Sequence, residues 1–88
     1  MRKDVIKLLS KRWIRDGNLF HRIVNGRRET INLSAHKLIL TAIVGSIPVT
    51  ILKVTYTTLE IKGDYLIAIS DGKTRYVCRI GGEDAANN

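Results

Sequence analysis

Residues 19–33 read LFHRIVNGRRETINL and carry the clearest folding signal of the chain. Asn25-Gly26, at their centre, favours a type I′ turn because both central residues of that turn need positive φ. We therefore predict a β-hairpin with strands at residues 19–24 and 27–33. A two-residue turn gives three cross-strand pairs: Val24 with Arg27, Arg22 with Glu29, and Phe20 with Ile31. The second pair is ionic and the third is apolar, which supports this register.

Before the hairpin, residues 4–15 have the periodicity of an amphipathic helix. Asp4 is a suitable N-cap, and residues 16–18 (Asp-Gly-Asn) form a stop signal. Ile14 is the exception, since it falls on the basic side. The apolar face carries Val5, Ile6, Leu9 and Trp13. The opposite face carries Lys3, Lys7, Lys11 and Arg15, which follow i, i+4 spacing.

After the hairpin, residues 35–44 allow two interpretations. Ser34 is a suitable N-cap and Gly45 a suitable end for a short helix. The run at 38–44 is apolar and rich in β-branched residues, which also fits a strand, and periodicity does not distinguish the two over so short a run. We expect the helix and keep the strand as the alternative.

From residue 49 onward the sequence is typical of an antiparallel meander. The predicted strands are residues 49–56, 57–62, 65–70 and 74–80, with Gly63-Asp64 and Asp71-Gly72 as turns. Residues 65–69 are apolar on both faces, and we expect them in the middle of a sheet. In the last strand, alternation places Arg75, Val77 and Arg79 on the face opposite Tyr76, Cys78 and Ile80.

These elements predict an α+β domain with an N-terminal amphipathic helix, a β-hairpin, a short helix or strand, and a C-terminal antiparallel meander. A small sheet with helices on one face and a partly closed barrel both accommodate this order. The length of 88 residues fits one domain. We expect that domain at residues 1–82, followed by a disordered acidic and polar tail at 83–88.

The sequence predicts no membrane span and no disulfide framework. Its longest uncharged run, residues 38–52, is shorter than the roughly 20 apolar residues of a span, and Gly45 and Pro48 interrupt it. The N-terminus lacks the pattern of a secretory signal. Cys78 is the single cysteine and has no partner for an internal disulfide. We therefore expect a cytoplasmic protein in a reducing compartment.

The residue types that catalysis or metal binding requires are dispersed along the chain. His21, His36 and Cys78 lack the close pair that zinc sites use. Ser34 and His36 are near one another, but an N-cap explains Ser34 better, and no third group completes a triad. We find no paired carboxylates for acid–base chemistry. We therefore expect no enzyme activity, no metal, no cofactor and no small-molecule substrate.

Positive charge is concentrated in the first third of the chain. The net charge is +7, and residues 1–30 hold nine lysines and arginines against three carboxylates. The predicted helix stripe and the hairpin tip carry much of this charge. The candidate nucleic-acid-binding residues are Lys3, Lys7, Lys11, Arg15, Arg27 and Arg28, with Arg75 and Arg79 of the last strand in second place.

This charge favours binding to nucleic acid, because lysine and arginine that neutralise phosphates release counterions. The chain has few aromatic residues for base stacking, so we expect contacts mainly with the backbone of duplex DNA. A lysine stripe is also typical of a solvated helix face.

The alternative hypothesis is a homo-oligomeric interaction or adaptor module with no nucleic-acid role. The excess of Ile, Leu and Val between residues 38 and 69 could be covered by a subunit interface. Trp13 would then serve as an interface anchor instead of a core residue. The two hypotheses are compatible, since a homodimer would double the basic surface.

Overall fold

The computed structural model describes residues 2–81, which form one helix and eight strands. The elements in chain order are α1 (Arg2–Ser10), β1 (Ile14–Asp16), β2 (Leu19–Val24), β3 (Arg27–Leu33), β4 (Lys37–Val44), β5 (Ile47–Thr55), β6 (Thr58–Lys62), β7 (Tyr65–Ser70) and β8 (Thr74–Arg79). The predicted tail at 83–88 lies outside the described residues.

The strands form two antiparallel sheets. The first has five strands in the order β1-β2-β3-β4-β5, and the second has three in the order β6-β7-β8. Every strand pairs with its neighbour in the chain within each sheet, and neither sheet closes on itself. The described chain is therefore mostly β, so α+β is a loose description and a partly closed barrel does not apply. The helix α1 packs against β6.

The predicted hairpin is present with its predicted register. The strands β2 and β3 pair Val24 with Arg27, and the other two predicted pairs are also observed. Asn25 and Gly26 have φ values of 52° and 78°, as a type I′ turn requires. A local turn signal flanked by alternating residues was sufficient to predict this element.

The N-terminal helix is shorter than predicted, ending at Ser10 instead of residue 15. It already includes Arg2, so Asp4 lies in the first turn of the helix and is not its N-cap. The amides of Arg12 and Trp13 still bond to the carbonyl of Leu9, so the last turn closes there. The chain then enters β1, in which Ile14 pairs with His21. Ile14, the one residue that did not fit the helical pattern, is the first residue of that strand. Gly17, with φ of 63°, forms the β1–β2 turn and not a helix cap.

Residues 35–44 contain a strand, which was the alternative, and not the short helix that we expected. The strand β4 fills most of this segment and pairs with β3 on one side and β5 on the other. Ser34 is not an N-cap, since its amide bonds to the carbonyl of Lys37 in the β3–β4 turn. The backbone N–H and C=O groups of β4 bond to the neighbouring strands β3 and β5. Local propensity contains no information about these two partners.

The C-terminal meander is present with three strands, β6 to β8, whereas the predicted first strand at residues 49–56 is β5, which belongs to the five-stranded sheet and pairs with β4. The strand β7 has the predicted bounds and is the central strand of its sheet. The strand β5 begins two residues earlier than predicted, at Ile47, and therefore includes Pro48. Proline is tolerated there because β5 is an edge strand.

One apolar core lies between the two sheets and the helix. It includes Trp13, so this residue is not an exposed anchor for a partner. The buried residues are Val5, Leu9, Trp13, Phe20, Ile31, Leu33, Leu38, Tyr56, Leu59, Leu66, Ala68, Cys78 and Ile80.

A polar cluster around Arg22 connects the two sheets at the edge of this core. Arg22 donates to the Glu29 carboxylate across the β2–β3 hairpin at 2.9 Å. It also donates to the carbonyl of Arg79, the last residue of β8, at 3.2 Å, and to that of Ile80, the next residue, at 2.9 Å. The indole of Trp13 donates to the same Ile80 carbonyl at 2.8 Å. The Arg22 guanidinium also lies 4.6 Å from the centre of the Trp13 ring, a cation–π geometry.

Candidate nucleic-acid interface

Three of the predicted basic residues surround one surface depression, which we call the basic depression. Its volume is about 440 Å³, and its lining residues are Lys3, Ile6, Lys7, Ser10 and Arg15. The first four share one side of α1 because they follow i, i+3, i+4 and i+7 spacing. None of the five is acidic, so three positive charges converge there without a carboxylate.

Arg15 reaches the basic depression from β1 and not from the helix. The early end of α1 turns the chain back, so that a residue predicted one helical turn beyond Lys11 lies instead beside Lys3 and Lys7. The Arg15 side chain is held from two sides. Its Nε donates to the Gly17 carbonyl at 2.9 Å, and its guanidinium lies 5.9 Å from the centre of the Phe20 ring.

Lys11 does not line the basic depression, although it was predicted to continue the stripe. It follows the last helical residue and is exposed in the α1–β1 connection. Of the four residues predicted to form one basic stripe, three line the basic depression and Lys11 lies apart from them. Ile6 and Ser10 were not predicted as site residues, and Ile6 was placed on the apolar face. Each follows a lysine by three residues, a spacing that brings it beside that lysine on the helix surface.

The two arginines at the hairpin tip are separated by the alternation of β3. Arg27 lies on the face towards the three-stranded sheet and donates to Glu29 at 2.8 Å. Arg28 lies on the other face, beside Ile23 and Ile43. Arg27 is therefore paired with a carboxylate, and the side chains of Arg27 and Arg28 do not form a single basic surface at the hairpin tip. Residues two apart in a strand share a face, so the Arg27–Glu29 contact was predictable from the sequence.

Arg75 and Arg79 are both exposed on the same face of β8, as their spacing predicted. Arg79 differs from Arg75 because it lies at a cleft between the two sheets, where its Nε donates to the Gly81 carbonyl at 3.2 Å. Arg27 lines the same cleft. The structure thus brings Arg27 and Arg79 together, away from Lys3, Lys7 and Arg15.

This second concavity, the inter-sheet cleft, has a volume of about 300 Å³. Its polar side contains Glu29, which is buried beneath the two arginines that it contacts. Its other side is apolar. The lining residues are Arg22, Val24, Arg27, Glu29, Leu40, Ile51, Val77, Cys78 and Arg79.

The described residues contain few groups suited to covalent or metal chemistry. Within residues 2–81, no three His, Cys, Asp or Glu side chains lie together as metal ligands would. Burial raises the pKa of the Cys78 thiol to about 11, so this thiol is protonated and unreactive at neutral pH. In the same part of the chain, no helix is long and apolar enough to cross a membrane.

Comparison with protein-family models, curated proteins and solved structures gives no match for this chain.

The raised pKa of Cys78 predicts a pH dependence of stability. The folded chain holds the thiol proton more tightly than the unfolded chain, whose cysteine has the ordinary pKa of 9.0. Below pH 9 the thiol is protonated in both states, and its full contribution to the free energy of unfolding is present. As the pH rises from 9 towards 11, the thiol of the unfolded chain loses its proton first, so this contribution is lost. Because the Cys78→Ala variant lacks this titration, wild type should lose up to about 3 kcal/mol more than the variant across that interval.

Urea titrations of both proteins at several pH values measure this difference. Alanine also leaves a cavity that lowers the free energy of unfolding, but this loss does not change with pH. Comparing how the free energy of unfolding of each protein varies with pH therefore removes it. Parallel pH profiles for the two proteins would contradict the assignment.

Proposed function

We propose that this protein binds nucleic acid, preferentially duplex DNA, through contacts between the basic depression and the phosphate backbone. The observation that carries the proposal is the convergence of Lys3, Lys7 and Arg15 on one depression with no carboxylate in its lining. Such a group of cations releases counterions when it neutralises phosphates, which favours binding without any contact to bases.

The surroundings of these three cations support the proposal. Within residues 2–81, Lys3 and Lys7 have no ion-pair partner, so their charges are available to a ligand. Arg15 is held by Gly17 and Phe20, which reduces the side-chain entropy that binding would cost. No aromatic ring lines the depression, which favours phosphate contacts over base stacking.

The other predicted residues have a smaller role in this proposal. Lys11, Arg28 and Arg75 are exposed and would add weaker long-range attraction to a polyanion. Arg27 and Arg79 face the inter-sheet cleft, and Arg27 is already paired with Glu29. The proposed function is binding, with no catalytic step and no cofactor, in the cytoplasm.

The salt dependence of DNA binding tests this proposal. We expect Lys3→Gln combined with Lys7→Gln to weaken binding to a generic duplex at least tenfold in low salt. The slope of log K against log salt should become shallower by about 2, because each lost phosphate contact removes roughly 0.9 from it. Fluorescence anisotropy over a salt series measures both quantities.

The matched control is Lys62→Gln combined with Lys73→Gln. It removes the same charge from exposed lysines that do not line the basic depression. An equal loss of affinity in this control would show that net charge acts without a specific site. Failure of the wild-type protein to bind duplex DNA at about 50 mM salt would overturn the proposal, because phosphate contacts are strongest in low salt.

A second candidate function, self-association, is favoured by an exposed apolar surface on the β4–β5 hairpin. We call it the apolar shelf, and it consists of Val44, Ile47 and Val49. Ile47 is 66% exposed and Val49 is 47% exposed. Val44 pairs with Ile47, and alternation along β4 places Val44 on the same face as the buried Leu38.

Strand lengths explain why this surface is uncovered. The strands β4 and β5 have eight and nine residues, whereas those of the three-stranded sheet have five or six. The hairpin therefore extends beyond the sheet that covers the rest of its inner face. Pro48, Lys53 and a bulge at Ile51 interrupt the β5 edge, so a second copy would cover the shelf by face packing and not by strand pairing.

Light scattering over a range of concentrations tests this second candidate. We expect wild type to have the mass of a dimer and Val49→Lys to have the mass of a monomer, because lysine on the shelf would be desolvated by a partner. Thr50→Lys is the control, since Thr50 is exposed on the other face of the same strand. A monomeric wild type at every concentration would exclude self-association.

A further inference from the structure

The inter-sheet cleft has an electrostatic imbalance that the DNA-binding proposal does not use. At its polar side, Arg22 and Arg27 contact the two oxygens of one carboxylate, Glu29, at 2.9 and 2.8 Å. Two guanidinium groups and one carboxylate leave an excess of one positive charge. Arg79 also lines the cleft, but its side chain already has partners, among them the Gly81 carbonyl at 3.2 Å.

Arg27 is the arginine with donors available to a ligand. Arg22 already uses Nε for Glu29, Nη1 for Ile80 and Nη2 for Arg79. Arg27 uses Nη2 for Glu29, and its side chain makes no other hydrogen bond within residues 2–81. Its side chain is 51% exposed, so a ligand can approach the remaining N–H groups without displacing the chain.

The opposite side of the cleft is apolar and partly exposed. Ile51 of the five-stranded sheet and Val77 of the three-stranded sheet both line it, and they are 51% and 57% exposed. Leu40 lies deeper. A volume of about 300 Å³ has room for about ten water molecules and lies at the lower end of the range for small-ligand pockets. Two exposed apolar walls and one unbalanced cation therefore define an amphipathic site.

We propose that the inter-sheet cleft binds a small amphiphilic carboxylate, such as a medium-length fatty acid. The carboxylate accepts hydrogen bonds from Arg27, and the acyl chain lies between Ile51 and Val77. A single negative charge matches the excess at the Arg22–Glu29–Arg27 cluster, and the planar guanidinium suits a carboxylate. The molecule acts as a ligand and not as a substrate, because the only nucleophile in the lining, Cys78, is protonated and buried.

Titration with decanoate, below its micelle-forming concentration, tests this inference on the full-length chain. We expect saturable, one-to-one changes in the ¹H–¹⁵N spectrum at the amides of Ile51, Val77 and Cys78. Decanol has the chain without the charge and acetate has the charge without the chain, so each should bind at least tenfold more weakly. Equal binding of decanol and decanoate would overturn the proposal.

Two adjacent arginines provide a matched pair of variants. Arg27→Gln should weaken decanoate binding at least tenfold, and Arg28→Gln, on the opposite face of β3, should leave it unchanged. Val77→Asp adds a carboxylate at an exposed position of the cleft wall and should also abolish binding. Circular dichroism checks that each variant remains folded.

Either of two results would overturn the cleft proposal: equal losses in the two arginine variants, or spectral changes confined to α1 and Arg15. The cleft and the basic depression share no lining residue. A protein that does not bind DNA could therefore still bind a carboxylate in the cleft, and a protein that binds no carboxylate could still bind DNA.

Discussion

The fold depends on a single guanidinium that joins three parts of the chain far apart in sequence. Arg22 extends from β2, stacks on Trp13 after the helix, and donates to two carbonyls where β8 ends. The Ile80 carbonyl accepts from both Arg22 and Trp13, so both its lone pairs are used. Glu29 supplies the compensating charge in a partly buried position, where an unpaired arginine would be costly. Among the described residues, no buried side-chain donor or acceptor lacks a partner.

Both candidate sites follow from this arrangement. Because Trp13 is fixed in the core, the helix ends at Ser10 and the chain turns into β1, which brings Arg15 beside Lys3 and Lys7. Arg22 also joins the end of β8 to the β2–β3 hairpin and is itself a lining residue of the inter-sheet cleft. Of the two arginines that contact Glu29, Arg27 makes fewer hydrogen bonds through its side chain. The same cluster therefore stabilises the sheets and positions the charges on which both proposals depend.

Sequence reasoning succeeded where the signal was local and failed where distant partners decided the structure. Asn25-Gly26 and the alternation around it predicted the β2–β3 hairpin and its register. The misfit of Ile14 was the only local sign that α1 ends early, since the bond that holds Trp13 in the core joins it to Ile80, 67 residues later. For β4 the sequence left helix and strand both open, because the backbone partners that decide for the strand lie in β3 and β5. For the candidate site, helical spacing predicted Lys3 and Lys7, whereas the position of Arg15 follows from the turn after the helix.

The free energy of unfolding of Arg22→Lys tests the central role of this guanidinium most directly. Lysine keeps the charge but lacks the planar fork that contacts Glu29, Ile80 and Arg79 together, so we expect a loss of about 3 kcal/mol. Arg12→Lys is the control, because Arg12 forms an exposed ion pair with Asp64, and such pairs contribute at most about 1 kcal/mol. A clearly larger loss for Arg22→Lys supports the account. Equal losses in the two variants would contradict it.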